Sequence, residues 1–175
     1  MGHGPSASRL GAFVQTAFHR CRRDDPPSQA LRRVNAAILD AYSAESDDGY
    51  TTAFRGVLNS NSHRLKYAAA AQEAMVIGEH GEITRLEATG ALLGVSAEAA
   101  YAERVVDIPA QSLLIVATDG AFDEQLPGLT FDSASQVARQ FRNDSPRQVI
   151  DALLHFRMGD DRLMRDDVAI VCVRC

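Results

Sequence analysis

Lysine is almost absent from this 175-residue chain: Lys66 is the only one. Nearly all positive charge is therefore arginine, which reads first as an effect of codon composition. The 18 basic residues are outnumbered by 23 acidic ones, giving a formal net charge of -5. That balance argues against a nucleic-acid binder working through bulk electrostatics. Cysteine is scarce as well. Cys21, Cys172 and Cys175 are odd in number and have no zinc-ligand spacing, so neither a disulfide framework nor a structural zinc site is indicated. There is no signal-peptide pattern and no apolar run near the roughly 18 residues that a membrane span requires. The expectation is a cytoplasmic protein with reduced thiols and no membrane association. No repeat, linker or low-complexity segment divides the sequence, and its length suits a single domain with a real core.

What is present alternates between two periods. Leu10, Phe13, Val14, Ala17, Phe18 and Cys21 recur at helical spacing, which predicts a helix from about Ser6. Asp24 to Pro27 breaks it. A second helix, expected to be capped by Ser28, carries Leu31, Val34, Ile38 and Tyr42 on one side. From Tyr50 the pattern becomes extended, with strand-like runs at 50–58, 64–71, 74–78, 82–86 and 101–108. Connections this short join antiparallel neighbours, so a meander is expected. Two further helices follow. Ser133 and Gln136 stand at capping-box spacing in the first, and Ser145, Pro146 and Gln148 open the second. A last strand spans 168–173, where Cys172 alternates with Val171 and Val173 as core filler. Runs of helices and runs of strands imply the α+β class, an antiparallel sandwich or curved sheet covered by helices.

The stretch Leu113–Gly120, LLIVATDG, is the sharpest local signal. An unbroken apolar run reads as a strand buried on both faces, and it ends in an acid and a glycine. Asp119 then either opens a simple turn with Gly120 or holds a carboxylate at the mouth of the core, where it needs a metal or an arginine. Asp166 and Asp167 directly precede the last strand. If the two strands are antiparallel neighbours, Asp119 and Asp166 meet at one rim of the sheet. Two carboxylates that close repel unless a hard divalent cation lies between them, and oxygen ligation selects Mg²⁺ or Mn²⁺. Solvated loop acids are the other reading.

Six segments in order resemble the SpoIIE-type branch of the PPM (type 2C) serine/threonine phosphatases: GHGPSAS (2–8), TTAFRGVLN (51–59), LKYAAAAQEAMVI (65–77), ITRLEATGALLGV (83–95), LLIVATDGAFDEQ (113–125) and DDVAIVCVR (166–174). They cover nearly the whole chain. The resemblance implies a β-sandwich flanked by helices with a binuclear Mn²⁺ or Mg²⁺ site, at which an activated water attacks a phosphoserine or phosphothreonine. Asp119 matches the metal-binding Asp of the family's T-D-G motif, followed by Gly120. Asp166 matches the metal-binding Asp of its terminal motif, with Asp167 just outside the ligand set. Gly2, His3 and Gly4 match the loop after the family's bridging aspartate, where small residues let the phosphate approach.

The sequence also departs from that family. The bridging aspartate, about three residues before Gly-His-Gly in the family, is not among these residues, and Ala69-Ala-Ala-Gln72-Glu73 stands where Asn-Ala-Gly-His-Pro is usual. The expectation is thus an N-terminally shortened phosphatase domain over residues 1–175, lacking leading strands, binding at most one metal and turning over slowly. An exposed sheet edge that favours self-association is expected with it. The partner implied is a phosphorylated regulatory protein of the anti-sigma-factor antagonist type. The competing function is a non-catalytic module of the same fold that binds a phosphoprotein.

Overall fold

A computed structural model describes residues 5–42, 49–118, 121, 130–158 and 168–175. Along the chain the elements are α1 (Pro5–His19), α2 (Pro27–Ala41), β1 (Ala53–Asn59), β2 (Arg64–Ala70), β3 (Ala74–Ile77), β4 (Ile83–Leu86), β5 (Arg104–Asp107), β6 (Leu113–Ala117), α3 (Phe131–Gln140), α4 (Pro146–Met158) and β7 (Ile170–Arg174). Helices and antiparallel strands occur in the expected order. The strands make two sheets, ordered β1-β2-β5 and β4-β3-β6-β7. The chain divides into two compact units, one of residues 1–59, 64–72 and 87–106, the other of 60–63, 73–86 and 107–175.

In the first unit the apolar stripes do what their spacing requires. Leu31, Val34 and Ile38 of α2 are fully buried against Ala68 and Ala70 of β2, together with Leu93 and Tyr101, and the α1 stripe packs around this cluster. Burying each of these aliphatic side chains contributes about 1.5–3 kcal/mol. Ser28 is not the cap of α2. Pro26 holds the N-cap position without a side-chain bond and Pro27 occupies the first turn, where its fixed φ and missing N–H cost nothing. The exposed positions of Arg20, Arg22, Arg23 and Arg32 agree with solvated helix faces and ends. Arg33, half-exposed, pairs with the buried Asp25.

The single meander does not form. β2 and β3 follow one another in sequence but lie in different sheets. The end of β2 is already occupied: Thr89 N donates to Ala69 O at 2.9 Å, Ala71 N donates to Gly90 O at 2.9 Å, and Ala71 turns the chain at φ 48°. With those backbone groups satisfied, β3 pairs instead with β4 and β6, in the registers Ala74↔Leu86 and Ala74↔Val116.

The second unit buries Met75, Ile77, Leu113 and Ile115 from one sheet face against Phe131, Ala134, Ala138, Val149 and Leu153 of α3 and α4. The α3 cap is Thr130, whose hydroxyl accepts from Ser133 N at 3.2 Å; Ser133 therefore lies inside the first turn. The capping box of α4 is as expected, with Ser145 N donating to Gln148 Oε1 at 3.1 Å and Gln148 N donating to Ser145 Oγ at 3.4 Å. Arg174 ties the last strand down by donating to the carbonyls of Gln111 (3.0 Å), Arg142 (2.8 Å) and Asp144. On the opposite side of β7, Val171 and Val173 are exposed, and β1 carries Val57 and Leu58, also exposed, at the edge of the other sheet.

Cys172 packs against this core from β7, and burial pushes its thiol up to about 11 from 9.0. The neutral thiol is the form the fold favours, so its contribution is complete below pH 9 and is lost as pH rises through about 11. In urea unfolding measured from pH 8 to 11.5, the parent is expected to lose stability more steeply than Cys172→Val. Equal slopes for the two proteins would remove this thiol from the alkaline transition.

Candidate functional site

β6 is the centre of the second sheet. It is hydrogen-bonded to β3 on one side and β7 on the other, and Leu113, Ile115 and Ala117 are each no more than 3% exposed. β-branched and Leu residues without polar interruption suit a strand covered in this way. Its C-terminal end lies beside the N-terminal ends of both neighbours. Ala117 is opposite Ile170 in β7, and Val116 is opposite Ala74 in β3.

One step beyond the ladder the pairing changes. Thr118 N donates to Ala169 O at 3.0 Å, as an antiparallel pair requires. The return bond goes elsewhere: Ala169 N donates to the Thr118 hydroxyl, also at 3.0 Å. The Thr118 carbonyl accepts instead from Ala121 N at 2.9 Å, and Ala121 is buried.

The antiparallel relation on which the meeting of two carboxylates depends is therefore present. Asp119, Gly120, Asp166 and Asp167 themselves lie outside the described residues, as do Gly2, His3 and Gly4, which precede α1 in the chain. Among the described residues no group of three or more His, Cys, Asp or Glu could hold a metal ion. The pair expected from the sequence, Asp119 and Asp166, is a hard-oxygen donor set, of a chemistry that fits Mg²⁺ or Mn²⁺ and not a soft metal.

The same rim carries a pair that motif reading passed over. Glu73, the residue before β3, accepts from Arg85 Nε at 3.0 Å and from Arg85 Nη2. The Arg85 guanidinium lies over the Phe131 ring, 4.4 Å from its centroid. The departure Gln72-Glu73 thus comes with its own cation from β4, and a charged residue at strand spacing opposite Met75 was the available signal. Elsewhere, a cleft of about 410 Å³ lies between α1 and α2, lined by Phe13, Ala17, Cys21 and Arg33 among others. Burial, with Asp25 next in effect, raises the Cys21 thiol, which disfavours the thiolate, its reactive form. No helix among the described residues is long and apolar enough to cross a membrane.

The model of one protein family, described as stage II sporulation protein E (SpoIIE), matches residues 1–175. The SiaA PP2C domain of Pseudomonas aeruginosa superposes with a TM-score of 0.84 at 17% identity, covering 99% of this chain and 72% of that one. The PP2C phosphatase domain of SpoIIE from Bacillus subtilis, solved with a fragment of its regulatory domain, gives 0.79 at 16% identity, covering 100% and 52%. RsbX in complex with magnesium gives 0.69 at 16% identity, covering 98% and 75%. The chain thus spans about half the length of the SpoIIE structure it matches. At these identities the likeness shows the fold, that of the PPM phosphatase domains. No curated protein sequence is similar to the chain at a significant level.

Proposed function

The chain belongs to the SpoIIE family, and from that premise we propose that it is the core of a metal-dependent serine/threonine phosphatase acting on a phosphorylated regulatory protein of the anti-sigma-factor antagonist type. The observation that carries the reading is the antiparallel pairing of β6 and β7. Asp119 is the second residue beyond Ala117 on one strand, and Asp166 the fourth before Ile170 on the other. The two carboxylates would hold the cation, with Asp167 and Gly120 flanking them. When bound, Mn²⁺ or Mg²⁺ supplies a water of lowered pKa for in-line attack on phosphorus. The chain's own part is to bring two like charges to one rim and keep them there, which costs several kcal/mol until a cation neutralises them. The two assigned carboxylates suit one divalent ion.

The test is phosphate release from a phosphoserine peptide at increasing Mn²⁺. Release that requires Mn²⁺ and stops on chelation is the expected result. Peptide binding without release would favour the non-catalytic module, and neither binding nor release would remove the reading altogether.

A further inference from the structure

The ladder between β6 and β7 contains a substitution of one acceptor for another. In a regular antiparallel pair, Thr118 and Ala169 would exchange two backbone bonds. Only one is made, Thr118 N to Ala169 O at 3.0 Å. The Ala169 N–H goes to Thr118 Oγ1, also at 3.0 Å, and the displaced carbonyl accepts from Ala121 N at 2.9 Å. Three backbone groups are satisfied by this exchange, and Ala121, which depends on it, is 5% exposed.

We propose that Thr118 is a positioning residue. Its hydroxyl takes the ladder place of its own carbonyl, and so fixes where the chain leaves β6 for Asp119 relative to where it enters β7 from Asp166. Without the hydroxyl, the acceptor that a regular antiparallel pair offers Ala169 N is the Thr118 carbonyl. Taking it restores the regular pair and draws that carbonyl away from Ala121 N, weakening the bond between them. The two segments that lead to the carboxylates then change their relative setting together. A residue that holds ligand-bearing segments in place acts on a metal as outer-sphere partners do, where substitution costs about 10–100-fold in affinity. This inference rests on the reading of the β6–β7 rim as the cation site.

The experiment compares Thr118→Val, which keeps the shape and loses the hydroxyl, with Thr118→Ser, which keeps the hydroxyl. Two measurements are made on each: amide hydrogen exchange at Ala121 and Ala169, with Leu114 in β6 as internal reference, and Mn²⁺ affinity by calorimetry. In Thr118→Val, Ala121 is expected to exchange about tenfold faster while Leu114 is unchanged, and Mn²⁺ affinity is expected to fall about 10–100-fold. Thr118→Ser should restore both. Unchanged protection of Ala121 in Thr118→Val would overturn the acceptor exchange. Altered protection with Mn²⁺ affinity equal to the parent would overturn the positioning role. Should Asp119→Asn bind Mn²⁺ as well as the parent, the cation reading fails instead, and the positioning role with it, while the amide measurements still decide the acceptor exchange.

Discussion

Asp119→Asn is expected to abolish the gain in thermal stability that Mn²⁺ gives the parent chain. A ligand present at ten times its dissociation constant stabilises the native state by about 1.4 kcal/mol. Replacing a direct carboxylate ligand by a neutral amide should cost more than the roughly 10–100-fold that loss of an outer-sphere partner costs. At the same Mn²⁺ concentration the variant would then gain less than about 0.1 kcal/mol. The fold itself should not suffer, because the variant removes one of two mutually repelling charges and no buried apolar group. In the absence of metal the variant is therefore expected to melt at or slightly above the parent. Melting curves with and without Mn²⁺ for both proteins supply all four values. Equal Mn²⁺ shifts in parent and variant would detach Asp119 from the metal.

Gly94→Ala should strongly destabilise the first unit. Gly94 sits at φ +86°, and a Cβ there would collide with the carbonyl oxygen of Gly49 and approach Ile38 Cγ2 to 2.8 Å. Neither Ile38 nor the segment that carries Gly94 can move freely. Ile38 is fully buried in the α2 core, and the Gly94 segment is pinned from two sides: Gly94 N donates to Asn35 Oδ1 at 2.7 Å, and Asn35 Nδ2 donates to Ser96 O at 2.9 Å. Left-handed backbone at a non-glycine residue alone costs about 1–3 kcal/mol. With the collision added, a loss of about 4 kcal/mol is expected, near the top of what single substitutions do. The matched control is Gly11→Ala in α1, where nothing lies within 4 Å of the added carbon. There the change should stabilise by up to about 1 kcal/mol. Urea midpoints measure both, and a loss below about 1 kcal/mol at Gly94 would contradict the geometry.

Much of this arrangement could be read from residue order, and the reasons differ by element. The α2 stripe of Leu31, Val34 and Ile38 was legible because a long amphipathic period has one solution. The α4 box was legible because Ser145, Pro146 and Gln148 satisfy each other locally. The caps of α2 and α3 were misplaced onto Ser28 and Ser133, since several residues in a polar stretch can serve as cap and the choice is made by backbone geometry at Pro26 and Thr130. Strand partners were harder still. Nothing local to Gln72 says that β2 and β3 part company. That follows from the Thr89–Gly90 segment, distant in sequence, occupying the end of β2. The rim of β6 was anticipated through a buried apolar run ending at an acid. The Thr118 exchange and the Glu73–Arg85 pair were not, because both depend on which strand end lies opposite which.

The pairing of β6 with β7 also sets an order of events for the chain as it is made. Ala74 pairs with Val116 and Ala117 with Ile170, contacts far apart in sequence, so closing them carries a loop-entropy cost that slows folding. Within the second unit β7 is synthesised last, and it alone supplies Ile170, Cys172 and the Arg174 tether to the α3–α4 connection. Until it emerges, β6 is an open edge with unpaired backbone groups, a template for pairing with other chains. The rim that would bind metal is thus completed late in synthesis, and a pause in translation before residue 170 would leave the strand most open to association exposed for longest.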